Sequence, residues 1–382
     1  MRNKESADKE AGAHKGRRTL GHWLALAIAL ALLLVVLVMP AIRQHNTVLW
    51  VRALGGNVQT ESTWLTNRLP NAAKERLSDK GWLEKLERVT TCHFFLSPIT
   101  DTDLEHLKGL RAMRQLDLTA AQVTDAGLIH LKEMTRLQTL HLDSTQLSGA
   151  GLIHLKDMTG LQTLSLANTQ VTDGLEHLNE MTAMRKLDLR DTQLADAGLQ
   201  HLKALTSLQN LVLRDTQVTD AGLRHLKGLT AMQKLDLRNT QVTDVGLQHL
   251  KHMLDMQELD LVDIKVTGTG LEHLKGMTAI RELYLHYTQV TDARLEHIKG
   301  MTTLQYLGLN HTRVTDAGLE HLKGMTAMQR LDLMGTKVSD AGLKHLKGMT
   351  ALEDLFLHST QVTEAGINEL EAAIPSLVIQ WK

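Results

Sequence analysis

The chain has 382 residues, with 42 Lys and Arg against 43 Asp and Glu, and a formal net charge of −1. That balance excludes a nucleic-acid binder working through a broad basic face. A single cysteine, Cys92, excludes an internal disulfide framework and a cysteine-built metal cluster, and an aromatic content of 3% fits a leucine-built solenoid better than a globular enzyme.

Residues 1–18 are polar, lack apolar periodicity and carry Arg2, Lys4, Lys9, Lys15, Arg17 and Arg18. They read as a disordered basic tail. Residues 19–42 follow as an apolar run, unbroken from Trp23 to Met39, of the length needed to span a bilayer. Trp23 suits the interfacial belt. The apolar core is longer than a usual signal-peptide core, and Met39-Pro40-Ala41 is a poor cleavage site, so the segment is expected to be an uncleaved signal-anchor transmembrane helix. The basic tail precedes it, while only Arg43 and Arg52 follow closely. The positive-inside rule then places the N-terminus in the cytoplasm and the rest of the chain outside it.

Residues 43–88 are expected to form a juxtamembrane N-terminal cap. Val48, Leu49, Val51 and Leu54 predict a short helix ended by Gly55-Gly56, and Trp64, Leu69, Trp82, Leu83 and Leu86 predict amphipathic segments around Pro70. Their expected task is to cover the apolar end of a repeat array, with packing on the membrane surface as the other reading.

Residues 89–382 are that array. A stretch beginning at Leu304 and ending at Ala327 recurs every 24 residues, with copies opening at Met113, Leu137, Leu161, Met184, Leu208, Met232, Met256, Ile280, Leu304, Met328 and Leu352. A degenerate copy opens at Val89, where Cys92, Phe94 and Ile99 take the apolar places, and the copy from Leu161 to Ala183 is one residue short. Within a unit, Leu304, Leu307 and Leu309 end in the alternation of a short half-buried strand. Val314 turns inward after it. Thr315 is a good N-cap and Asp316 complements the helix dipole. Leu319, Leu322 and Met325 recur on one helical face, and Gly324 suits a left-handed C-cap. No unit buries its leucines alone, so stability comes from neighbours, with parallel strands on a concave side and helices on the convex side. At about 4.8 Å per strand, eleven strands make a strip of roughly 50 Å.

The Leu-x-x-Leu-x-Leu pattern resembles the leucine-rich repeat family over roughly three quarters of the chain. Thr145, Thr169 and Thr312 stand where that family usually has Asn. The Val-Thr-Asp-Ala-Gly-Leu segment and the ending from Ile374-Pro375 through Ile379 to Trp381 look like its short ribonuclease-inhibitor-like or bacterial type. The resemblance implies an α/β leucine-rich repeat solenoid and protein–protein recognition through the concave face.

The outward strand positions divide into two parts. In the middle repeats they include Lys186, Asp188, Arg190, Asp191, Arg214, Asp215, Lys234, Asp236, Arg238, Asn239, Glu258 and Asp260, a mixed-charge strip that reads as a solvated face with cross-strand ion pairs or as a polar recognition surface. Later, Tyr284, His286, Tyr287, Tyr306, His311, Phe356 and His358 take outward or flanking positions, and all three tyrosines fall between residues 284 and 306. The core needs only Leu and Met, so these residues, with Arg330, have the composition of a binding hot spot.

A histidine recurs at one helix position, from His106 to His345, and is expected to face solvent. The Thr after each strand is expected to satisfy loop backbone of the next turn. Asn310-His311-Thr312 matches a glycosylation acceptor that only a eukaryotic secretory route would use. No phosphate loop, zinc-binding helix motif or nucleophile elbow is present. The sequence therefore reads as a membrane-anchored, non-enzymatic scaffold or receptor without cofactor or metal, in the bacterial style, binding an unidentified protein partner. Two other readings stay open: a self-associating structural envelope protein, and a carbohydrate-binding module stacking sugars on Tyr284, Tyr306 and Phe356.

Overall fold

The structure, a computed structural model, describes residues 39–61, 88–94 and 97–382. The chain divides into two units after Cys92. The basic tail and nearly all of the expected span at 19–42 lie outside the described residues, as do the segments around Pro70. Among the described residues no helix is long and apolar enough to cross a membrane.

In the first unit an α-helix runs over Met39–Ala53. It extends the short helix expected from Val48 to Leu54 toward the N-terminus. Val48 and Val51 are buried while Leu49 is exposed. The helix ends where Gly55 turns left-handed, at φ +75°, and the Gly56 amide donates to the Val51 carbonyl at 2.9 Å, a Schellman-like close. Strand β1 (Asn57–Glu61) follows, a strand not expected from the sequence, and then β2 (Arg88–His93).

The second unit is built on strands of three residues each: β3 (Gln115–Asp117), β4 (Thr139–His141), β5 (Thr163–Ser165), β6 (Lys186–Asp188), β7 (Asn210–Val212), β8 (Lys234–Asp236), β9 (Glu258–Asp260), β10 (Glu282–Tyr284), β11 (Tyr306–Gly308), β12 (Arg330–Asp332), β13 (Asp354–Phe356) and β14 (Val378–Gln380). Each pairs in parallel with the next, leucine opposite leucine as in Leu283↔Leu307↔Leu331, until Leu355 meets Ile379 at the last pair. The missing residue of the short copy does not disturb this register, since Leu164 still faces Leu187. The deletion is absorbed after the strand, where Gly174 takes φ +80°. Leu304, Leu307, Leu309, Val314, Leu319, Leu322 and Met325 are all fully buried, as the apolar pattern requires.

Opposite the sheet most repeats carry a single α-turn, such as Asp316–Glu320, a short 3-10 helix, such as Gly127–Leu131, or one followed by the other, as over Asp196–Leu199 and Gln200–Ala204, and the last carries a longer α-helix, Glu364–Ala373. Strands stack at about 4.8 Å and helices are roughly 10 Å wide, so the strand side of this unit is the inner one. The expected left-handed cap at Gly324 is absent: of the residues at that position only Gly109 has a positive φ. The chain leaves the helix instead through successive right-handed turns, Met325 N–H to Leu322 at 2.9 Å and Met328 N–H to Met325 at 3.1 Å. This is why Glu133, Asp157 and Ala204 serve equally well in other copies.

Thr315 does cap its helix, its hydroxyl accepting from the Ala317 amide. The Asp after it has a larger task than complementing a dipole. Asp316 accepts from both the amide (2.7 Å) and the hydroxyl (2.6 Å) of Ser339, one repeat on. Asp196 holds Thr219, Asp220 holds Thr243, Asp292 holds Thr315 and Asp340 holds Thr363 in the same way. Each carboxylate also occupies the space where a Cβ would stand on the Gly of the following helix, as Asp196 does at Gly222 and Asp316 at Gly342. The clamp is missing where Gly268 replaces the Asp, and there the following Gly position holds Arg294, whose side chain packs against Gly268. The post-strand Thr acts locally: Thr145, Thr192 and Thr312 donate to the carbonyl three residues back (2.6–2.7 Å), not to the next turn.

Candidate recognition surface

On the inner face the first and third residues of every strand point away from the core. From β6 to β9, on the strands and the turns just after them, most of the charges are paired. Arg190 lies 3.5 Å from Asp188, Arg214 reaches Asp215 at 2.8 Å and Asp191 at 3.3 Å, Lys234 reaches Glu258 at 2.6 Å, and Arg238 reaches Asp260 at 2.8 Å. Burial raises the Asp188 carboxyl and pushes that of Asp260 up to about 6. This part of the strip is the ion-paired strand face that the sequence left as one of two readings.

At β10 the chemistry changes. Tyr284 and Tyr306 meet with ring centroids 4.7 Å apart and planes at 41°. Both rings are half-buried. Their hydroxyls are tied down inside the protein: Tyr284 Oη donates to Glu282 Oε2 at 2.5 Å, and Tyr306 Oη pairs with His286 Nε2 at 3.0 Å. The ring faces are thus held at fixed angles. Burial raises both phenols, Tyr306 to about 12, so neither ionises near neutral pH. Arg330, in register with Tyr306 on the next strand, sets its guanidinium 5.3 Å from the Tyr306 ring centre, a cation–π contact.

His286 was expected among the outward residues, but it is only 9% exposed. The reason is Gly308. A Cβ there would overlap the imidazole, so the absence of a side chain lets His286 fold down into the sheet surface. Burial lowers its pKa, and it is neutral near pH 7. Its Nδ1 lies 3.9 Å from Asp332 and interacts with the Asn310 side chain. Asn310 in turn donates to Asp332 at 2.9 Å. That bond occupies the amide nitrogen of the sequence-level glycosylation acceptor.

Tyr287 and His311 form a second pair at the edge of the strip, stacked at 4.8 Å and 13°. Both sit in left-handed backbone, φ +58° and +53°, at a position where Asp191, Asp215, Asn239 and Asp263 stand in earlier repeats. Asn and Asp tolerate that region and a bulky aromatic does not. Tyr287 is also 57% exposed, so it gains little from burial. Replacing Tyr287 by Asn is therefore expected to raise stability by about 0.5–1 kcal/mol, read as a higher urea midpoint. A lower midpoint would mean that stacking on His311 outweighs the backbone strain. Phe356 and His358 belong to the next strand but one from β11 and are half-buried. They extend the strip but are not part of the Tyr284–Tyr306 contact.

Sequence reasoning named the aromatic members and missed Glu282, Gly308 and Asn310. Two signals were available. Glu282 lies two residues before Tyr284, hence on the same face of the strand. Gly308 is a glycine inside a strand, which marks a close approach. The recurring histidines, expected to face solvent, are half-buried from His130 to His345, and burial lowers the pKa of His225 and His249.

The family described as Leucine Rich repeat matches residues 229–251 and 300–323. No curated protein matches the sequence. Among solved structures, an internalin of Listeria monocytogenes is 20% identical, covering 76% of this chain and 86% of its own, with a TM-score of 0.59. A leucine-rich repeat protein of Leptospira interrogans is 16% identical over 74% of this chain and 87% of its own, with a TM-score of 0.46. A plant peptide hormone receptor is 12% identical over 73% of this chain and 57% of its own, with a TM-score of 0.45. Two repeats of this chain thus match the leucine-rich repeat family, and its in-register parallel strands share the fold of the internalin.

Proposed function

We propose that the protein is a non-enzymatic scaffold or receptor that binds a protein partner on the inner strand face, centred on β10 to β12, and is displayed outside a membrane by residues 19–42. Leucine-rich repeat proteins generally act by protein–protein interaction, and the fold is typically a non-enzymatic scaffold. The observation that carries the site is the Tyr284–Tyr306 pair. These half-buried rings serve no core position, and their hydroxyls are fixed by Glu282 and His286. Rigid aromatic surface of this kind carries much of the energy at protein interfaces.

The test is capture from the native membrane fraction with the full chain and with a Tyr284→Ala/Tyr306→Ala variant. Loss of two large contact residues is expected to weaken partner retention by tenfold or more. Equal retention by both forms removes the site from β10 to β12, and recovery of the chain alone favours self-association. For the display half, deletion of residues 19–42 is expected to release the chain from the membrane fraction. Continued sedimentation with membranes would end that reading.

A further inference from the structure

Acceptors and cations are unevenly spread along the inner face. From β9 to β13 the outward strand positions hold five carboxylates (Glu258, Asp260, Glu282, Asp332 and Asp354) and one cation, Arg330. Lys234 and Arg238 neutralise Glu258 and Asp260. Among the described residues, no Lys or Arg lies within ion-pair distance of Glu282, whose one hydrogen bond comes from the Tyr284 hydroxyl. Beneath it the donors are already spent: the Asn310 amide donates to Asp332 at 2.9 Å, and His286 Nε2 is paired with the Tyr306 hydroxyl at 3.0 Å. The Tyr306 ring already carries one guanidinium, that of Arg330. The surface therefore combines two fixed ring faces, a carboxylate without a cation and a surplus of acceptors. A guanidinium is the side chain that matches all three, since it stacks on aromatic rings, pairs with a carboxylate and offers five donors with no acceptor.

We propose that the Tyr284–Tyr306 cluster binds an arginine side chain from a basic, extended segment of the partner protein, the guanidinium lying on the tyrosine rings and pairing with Glu282. The inference rests on the reading of this face as the partner surface and adds the partner's chemistry. A sugar would use the same rings but would not depend on the Glu282 charge.

The test uses the full chain and three dye-labelled probes: a peptide of four Arg-Gly-Ser units, its counterpart with Glu in place of Arg, and cellohexaose. Fluorescence anisotropy is expected to show the Arg peptide bound at least tenfold more tightly than the Glu peptide. Glu282→Gln and Tyr284→Ala/Tyr306→Ala should each lose most of that preference. Asp117→Asn, which removes a distant carboxylate of the same face, should keep it. Arg330→Ala, which uncovers the Tyr306 ring and removes the competing cation, should tighten binding. No preference for the Arg peptide, or an equal loss from Asp117→Asn, overturns the proposal as diffuse electrostatics. Cellohexaose binding that falls in the tyrosine variant but not in Glu282→Gln overturns it in favour of a sugar. Against the native partner, retention by Glu282→Gln with loss in the tyrosine variant would remove only the arginine assignment. Retention by both would remove the surface itself.

Discussion

Alanine at Gly174 is expected to destabilise the repeat unit by at least about 3 kcal/mol, while alanine at Gly324 changes stability by less than about 0.5 kcal/mol. Gly174 sits in the copy that is one residue short and takes φ +80°, where an L side chain is strained by about 1–2 kcal/mol. A Cβ there would also overlap the carbonyl of Gly149 in the preceding repeat, backbone against backbone, with no rotamer that relieves it. The turns would have to part, straining the Ser148↔Gln170 bridge and the 2.8 Å bond from the Gln170 amide to Leu147. Gly324 has open space around it and no positive φ. Urea midpoints followed by far-UV circular dichroism compare the two without assuming that the whole array melts in one step. If the midpoints of the two variants coincide, the short repeat is not held by this close approach.

The second large effect is a coupling. Gly222→Ala is expected to lose about 2 kcal/mol, because the new methyl takes the place of the Asp196 carboxylate and forces it off the amide and hydroxyl of Thr219. Asp196→Ala should lose a similar amount, about 2 kcal/mol, by leaving the same two donors without their charged acceptor. Combined, the substitutions should lose about 2 kcal/mol rather than 4, since the clamp can be broken only once. The chain contains a natural instance of the double change. Where Gly268 replaces the Asp, Arg294 replaces the following Gly, and the two pack together. Additive losses in the double variant would show that the glycine and the carboxylate do not share this space.

These two cases mark what could be read before the fold was seen. The strand leucines, the inward Val314 and the helix face of Leu319, Leu322 and Met325 follow from local periodicity, because a strand or helix places its own side chains at fixed intervals. Thr315 as an N-cap is equally local, since its partner amide lies two residues away. The task of Asp316 was not legible, since the Ser339 it holds is 23 residues on and comes beside it only when repeats stack. The same separation hid the shared space of Gly222 and Asp196.

At the recognition surface the sequence by itself determined which residue types interrupt a leucine-built array: three tyrosines between residues 284 and 306, with histidines and Arg330 around them. It also determined the period that puts them on neighbouring strands. Tertiary structure alone decided their roles. Parallel register sets Tyr284 opposite Gly308, and that missing side chain lets His286 fold in and drop from an outward residue to a buried one. Register likewise sets Arg330 beside Tyr306 and leaves Glu282 without a cation. Periodicity fixes the direction in which a side chain leaves its own strand. What it then meets depends on the neighbouring repeat, which only the stacking of the solenoid brings into reach.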